Sequence, residues 1–364
     1  MIFDMTTRSS EGRKSKEDLA GGYFLTLYTF KQDLEHLSSE YGLSDYRSNN
    51  PCELCPCNKM EGDWPMNYHN FNDSASWMRK CYTAAQWNAA HPEPHYLFEE
   101  KHITSLNVEP DEAHILHLGV SQYCLGSIMW LLCYSRPSLS KSPAENLQAV
   151  WQEVQAEYRR RSTPTQLTNM KIRTFTDPDQ WASTYPKLRA KAAETKDLVR
   201  PLAFVWDRFC TPGDVDHSRI SQMLHTLVEL QQVLHDNKEK AILPLSEAIR
   251  FRRLVKSFLK DYSLMANAAD REHVCLFSMV PKCHWLWHLG ERALWINPRR
   301  SCCLLDEDFV GRMKGVVSSC SVGTALLIIQ SKVAEQYCCG FFSRSGIVAN
   351  AERGREAAAR VGFF

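Results

Sequence analysis

The chain carries almost no net charge. Forty-three lysines and arginines face 42 aspartates and glutamates, a formal net charge of +1. The chain as a whole is therefore no polyelectrolyte, and a nucleic-acid face would have to come from local clustering. No signal peptide is expected either: the first 18 residues, MIFDMTTRSSEGRKSKED, are polar and charged and hold no apolar h-region. The longest apolar stretch, Tyr123 to Tyr134, is interrupted by Gly126 and Ser127 and is too short to span a bilayer. These absences predict a soluble intracellular protein without a membrane partner. Glycine is scarce early on, with Gly12, Gly21, Gly22, Gly42 and Gly62 alone before residue 111. No GxxxxGK[ST] phosphate loop can be drawn from them. The helicase-like word Asp111-Glu-Ala-His114 therefore cannot belong to an ATP-driven motor, and no nucleotide cofactor is expected. There is no internal repeat and no coiled coil.

What is present is cysteine, 14 residues of it, without the spacing framework of a small secreted domain. Without a leader, these are expected to be reduced thiols, and paired ones read as metal ligands. Cys52-Glu-Leu-Cys55 lies between Pro51 and Pro56, with Cys57 as a spare third thiol. Far downstream, His284-Trp-Leu-Trp-His288 places two imidazoles at i and i+4, on one helical face. Two thiols and two imidazoles can close a tetrahedral zinc site. The bland alternatives are buried thiols and an aromatic packing helix with hydrogen-bonded histidines.

Asp33 precedes Cys52 by 19 residues, and Glu307 follows His288 by 19. Closing the metal site would thus draw two acids together. Such a pair could hold Mg²⁺ for in-line attack on a phosphodiester. Asp306 and Asp308 flank Glu307, so the choice within that acidic run stays open. Asp111-x-x-His114 has two readings, a histidine beside a phosphate or a helix start capped by Asp111. Arg250, Arg252, Arg253, Lys256 and Lys260 share a stretch with no acid among them. They read as a phosphate-binding face or as a solvated helix surface.

Periodicity supplies the frame. Residues 1–20 read as disordered and 23–30 as a buried strand, with Asp33 just past its end. Residues 43–75 read as loop, and 111–134 as a buried helix. The run 135–143 reads as a linker. Helical patterns follow over 144–161, 187–209, 217–236 and 243–268, then over 280–290, 306–319 and 331–338. In the fourth of these, Phe251, Leu254, Val255, Phe258 and Leu259 form one apolar stripe.

In order and spacing these segments resemble the catalytic core of eukaryotic cut-and-paste DDE transposases. The similar groups are the CACTA, Kolobok, hAT and Transib superfamilies and the related RAG recombinase. The matching words are KQDLEHL around Asp33, Pro51-Cys-Glu-Leu-Cys55, Asp111-Glu-Ala-His114, Lys282-Cys-His284-Trp-Leu-Trp-His288 and Asp306-Glu307-Asp308-Phe309-Val-Gly-Arg-Met-Lys314. They span about residues 22–338. The resemblance implies an α/β fold, an incomplete RNase H-like core with a large helical insertion. Residues 21–135 would be the first part of the core, 144–270 the insertion, 271–338 the end of the core and 339–364 a divergent tail.

It further implies that Asp33 is the second catalytic Asp, Glu307 the final Glu, and His114 a neighbour of the scissile phosphate. Cys52, Cys55, His284 and His288 would hold a structural Zn²⁺, with Mg²⁺ as the catalytic ion. DNA would be the partner, with a homodimer as the working assembly and the nucleus as the location. The family's first Asp lies well upstream of the second, and no core strand around Asp4 or Asp18 supplies it. The expectation is a transposase-derived, catalytically incomplete chain. The alternative is a non-enzymatic zinc-stabilised module for DNA binding or protein interaction.

Overall fold

The computed structural model describes residues 2–3, 25–26, 29–60, 62–91, 94–99, 103–135, 142–180, 183–323 and 326–344. The disorder expected over 1–20 and the linker expected at 135–143 fall almost wholly outside these residues, as does the tail expected over 339–364 except for 339–344, which are helical. The chain divides into two compact units, residues 1–302 and 303–364. The boundary falls inside the stretch expected as the end of a single core.

The described residues are mostly helical. Strands are limited to two short pairings: β1 (Ile2–Phe3) runs antiparallel to β2 (Leu25–Thr26), and β3 (Phe30–Gln32) runs parallel to β4 (Val108–Pro110). The single strand expected over 23–30 is thus two shorter ones. A full RNase H-like sheet is not present among the described residues. β4 can extend no further as a ladder, because Pro110 has no amide hydrogen to donate. Helix α1 (Leu34–Tyr41) follows β3 directly, with Asp33 at its N-cap. It stops at Gly42, whose φ of 63° is left-handed.

The first unit is organised around α3 (Ala113–Tyr134). Its first nine residues, Ala113–Ser121, are wound as a π-helix, and Gln122–Tyr134 continue as α-helix. By length and composition this run could cross a membrane, which the shorter sequence window missed. However, 83% of its most apolar window is buried inside the protein. Ile115, Leu116, Val120, Leu125, Ile128, Met129 and Leu132 are all fully enclosed, so α3 is the core helix. One close approach depends on glycine: a Cβ on Gly126 would lie 2.9 Å from the backbone of Pro186 and Lys187.

Around α3 stand α4 (Pro143–Arg161), α5 (Ala192–Phe209), α6 (Val215–Asp236), α7 (Leu245–Arg271) and α8 (Pro281–Arg292). A short helix α2 (Ala84–Ala90) precedes them in the chain. Helix α4 starts at a capping box, Ser142 with Glu145, and has Pro143 at its first position. Helix α7 buries Phe251, Val255, Phe258, Leu259 and Tyr262. Burying one such large side chain contributes roughly 1.5–3 kcal/mol. It packs on α6 and α8, and a Cβ on Gly290 of α8 would meet the Val255 side chain at 3.1 Å. The second unit is a helical pair, α9 (Leu304–Ser321) and α10 (Leu326–Arg344).

Candidate metal centre and the adjoining carboxylate site

The CxxC turn is held in place by its own Glu53. Buried Glu53 accepts the Ser44 amide on one oxygen and the Trp87 indole on the other, at 2.8 Å. That ties the turn to α2. The Leu54 amide donates to Cys52 Sγ at 3.2 Å. The Tyr82 amide donates to Leu54 O at 2.9 Å and closes the loop beneath.

Opposite this turn, α8 presents His284 and His288. Its far end is anchored to β4, where Arg292 donates to buried Glu109 at 2.8 Å and to Leu106 O at 2.6 Å. Trp77 covers the histidines, with ring centroids 4.1 Å from His284 and 6.2 Å from His288. The Trp77 indole donates to Asn70 O.

Between them, Cys52 Sγ lies 3.3 Å from His288 Nε2, Cys55 Sγ 3.2 Å from His284 Nε2, and the two Nε2 atoms are 3.0 Å apart. All four ligand atoms are buried and lie within 4.8 Å of one another. A tetrahedral zinc with ordinary Zn–S and Zn–N bonds requires ligand–ligand separations of about 3.3–3.8 Å. The three separations of 3.0, 3.2 and 3.3 Å lie within a few tenths of an ångström of that spacing. The donor set therefore fits a metal ion of the zinc type.

Cys57, set aside as spare, is also close, 3.4 Å from His284 Nε2. Nothing in the local spacing marks it as part of the cluster. The charges within the cluster respond to one another. Burial opposes the Cys52 thiolate, yet hydrogen bonds from Cys55 and Cys57 and the facing imidazoles hold its pKa well below the ordinary thiol value. Burial likewise opposes charge on His288, and the Cys52 thiolate overrides it, raising His288 to about 9.

A second constellation lies beside the metal centre. In the parallel pairing Gln32 stands opposite Pro110, so Asp33 and Asp111 follow the carboxyl ends of adjacent strands. That edge is where a parallel sheet presents ligand-binding groups. Asp111 is buried, accepts the Ala113 amide at 3.0 Å and hydrogen-bonds His114 Nδ1. Asp111 thus caps the turn, as the second reading of Asp-x-x-His expected, and also orients His114. Lys282 of α8 joins this group. Burial lowers its pKa, and the charges of Asp33, Asp111 and Glu35 act on it in the opposite sense. Its stem passes so close to Gly119 that a Cβ there would meet Lys282 Cδ at 2.5 Å. Sequence reasoning did not single out Lys282, because nothing about its spacing marks it.

Glu307 falls on α9 in the second unit, and its side chain lies outside the described residues. Of the basic stretch, Arg250 pairs with Glu229 at 2.9 Å, Arg252 with Glu291 at 2.5 Å and Lys256 with Asp73 at 3.7 Å. The acids missing from the stretch itself are supplied by neighbouring elements. Comparison with protein-family models, with curated proteins and with solved structures yields no match.

Proposed function

We propose that this chain is a transposase-derived, catalytically incomplete core whose ancestral reaction is DNA strand cleavage and strand transfer. Its strongest support is the pair Asp33 and Asp111-x-x-His114 at the carboxyl ends of adjacent parallel strands, beside a buried Cys₂His₂ cluster. In this reading the cluster holds a structural Zn²⁺ and fixes α8 against the CxxC turn. Asp33 and Glu307 are the carboxylates for Mg²⁺, which when bound supplies charge stabilisation for phosphoryl transfer. His114, oriented by Asp111, donates a hydrogen bond to the scissile phosphate. DNA is the substrate, and the working form is a nuclear homodimer.

One observation favours a second reading, a non-enzymatic zinc-stabilised DNA-binding or protein-interaction module. The ammonium of Lys282 is under the influence of both Asp33 and Asp111. A resident cation there offsets carboxylate charge that a divalent ion would otherwise use. The deciding experiment incubates the zinc-loaded chain with end-labelled duplex DNA and Mg²⁺ or Mn²⁺. Strand cleavage that disappears in Asp33→Ala and in Glu307→Ala supports the transposase reading. Intact DNA under conditions where the zinc is retained rejects present-day catalysis, as expected of an incomplete core, and is also what the module requires.

A further inference from the structure

The π-winding of α3 also brings two buried titratable residues together. A π-helix brings i and i+5 into line. Glu112 and His117 accordingly meet, Oε1 to Nε2 at 3.0 Å, and both are buried. Their remaining polar atoms, Glu112 Oε2 and His117 Nδ1, have no hydrogen-bond partner, and neither has the Gln231 amide nitrogen. All three residues line one cavity of about 40 Å³, together with Lys196, Lys238 and Arg299. By the same measure a single water needs about 10–15 Å³, so the cavity has room for about three waters, or one tetrahedral oxyanion.

Charge decides what would occupy it. Lys196, Lys238 and Arg299 face the single carboxylate of Glu112, a surplus of two positive charges before either histidine is counted. Arg299 approaches Glu112 at 3.8 Å, and Glu112 is also held by His117. The one acid on the wall is thus already neutralised. Neither lysine has an ion-pair partner among the described residues, although each ammonium brings three donors. A metal cation would meet three like charges, and an apolar ligand would strand the buried polar atoms. A second cavity, of about 370 Å³, shares Lys196 and Gln231 and adds Arg161 and Arg200.

We propose that the cavity walled by Glu112, His117, Lys196, Gln231, Lys238 and Arg299 is a binding site for a phosphate group. The group is either free phosphate or the terminal phosphate of a monoester whose body rests in the larger cavity. The proposal stands apart from the transposase reading, since it uses neither Asp33 nor the metal cluster.

The test is a calorimetric and thermal-shift titration of the full chain with orthophosphate, with ribose 5-phosphate, and with sodium chloride at matched ionic strength. Orthophosphate should bind saturably at one site and raise Tm, while chloride should not. Tighter binding of ribose 5-phosphate identifies a monoester as the ligand, and equal binding identifies free phosphate. Lys196→Ala combined with Lys238→Ala should weaken binding by about tenfold or more, as removal of charged hydrogen-bond donors does. Lys238 is exposed and Lys196 half-buried, so this variant should keep the parent circular dichroism spectrum. Arg173→Ala, at an exposed residue outside both cavity linings, serves as a charge control and should bind like the parent. The proposal is overturned if chloride reproduces the shift, if no saturable site exists, or if the double variant binds as well as the parent.

Discussion

Cys52 and His288 stand 236 residues apart in the chain, and their sulfur and Nε2 atoms lie 3.3 Å apart. With Cys55 and His284 they make a cluster in which each pair comes from one rigid local element, a proline-flanked turn and a helix face. A metal at that point would cross-link the two ends of the first unit.

The first prediction follows directly. The purified chain should carry one zinc per molecule. Cys52→Ser or His288→Gln should abolish it and lower Tm by on the order of 10 °C, as loss of several kcal/mol would. Cys57→Ser should retain the metal, because Cys57 stands outside the four-atom cluster. Elemental analysis with thermal melting checks all three. Zinc retained in Cys52→Ser and lost in Cys57→Ser would reassign the ligand set.

A second prediction concerns the core helix. Gly126→Ala pushes a methyl group against the backbone of Pro186 and Lys187, which no side-chain rotation can relieve. Overpacking of this kind costs typically about 1–3 kcal/mol, or several degrees in Tm. Gly311→Ala, where nothing lies within 4 Å, is the control and should leave Tm unchanged or slightly raised. Equal melting of the two variants would remove the close contact between α3 and the 186–187 segment.

These cases separate what the sequence discloses from what it hides. Cys52, Cys55, His284 and His288 were legible because metal ligands come at fixed spacings, and those spacings are local. The α7 stripe of Phe251, Val255 and Phe258 was legible because periodicity is local too. Lys282 and Trp77 were not, since their roles arise only when α8 docks on β4 and on the loop over the histidines. The π-winding of Ala113–Ser121 left no mark on composition. Strand pairing is also non-local: the contact of Phe30 with Val108 could not be read from either segment, and the expected larger sheet is not among the described residues. The basic run 250–260 hides its partners in the same way, because Glu229, Glu291 and Asp73 approach it from elsewhere.

The third prediction is a pH dependence. Burial lowers the His69 pKa to about 4 from its ordinary value near 6.5, with the Met279 carbonyl bond opposing and Lys59 assisting. Between those values the unfolded chain takes up a proton that the folded chain refuses. Stability therefore falls as pH drops from about 6.5 towards 4, by at most about 1.4 kcal/mol per unit. His69→Phe keeps the ring against Tyr68 and has no proton to bind. Its zinc-loaded form should lose less Tm over this window than the parent. Parallel Tm–pH curves for the two proteins would show that His69 does not contribute.

The last prediction concerns the carboxylates at the strand ends. Asp33 and Asp111 bring two carboxylates to one edge, and both act electrostatically on the Lys282 ammonium. A resident cation offsets the field that would attract a divalent ion. Lys282→Met keeps the stem that packs on Gly119 and removes the charge. Mn²⁺ binding, read by electron paramagnetic resonance on the zinc-loaded chain, should then tighten by about tenfold, the equivalent of about 1.4 kcal/mol. Adding Asp33→Asn to that variant should cancel the gain, which places the new ion at this edge. If Lys282→Met binds Mn²⁺ no better than the parent, the lysine is not what keeps the site from holding a metal. If it gains metal and then cuts labelled duplex DNA, a single ammonium separates the two readings of this chain.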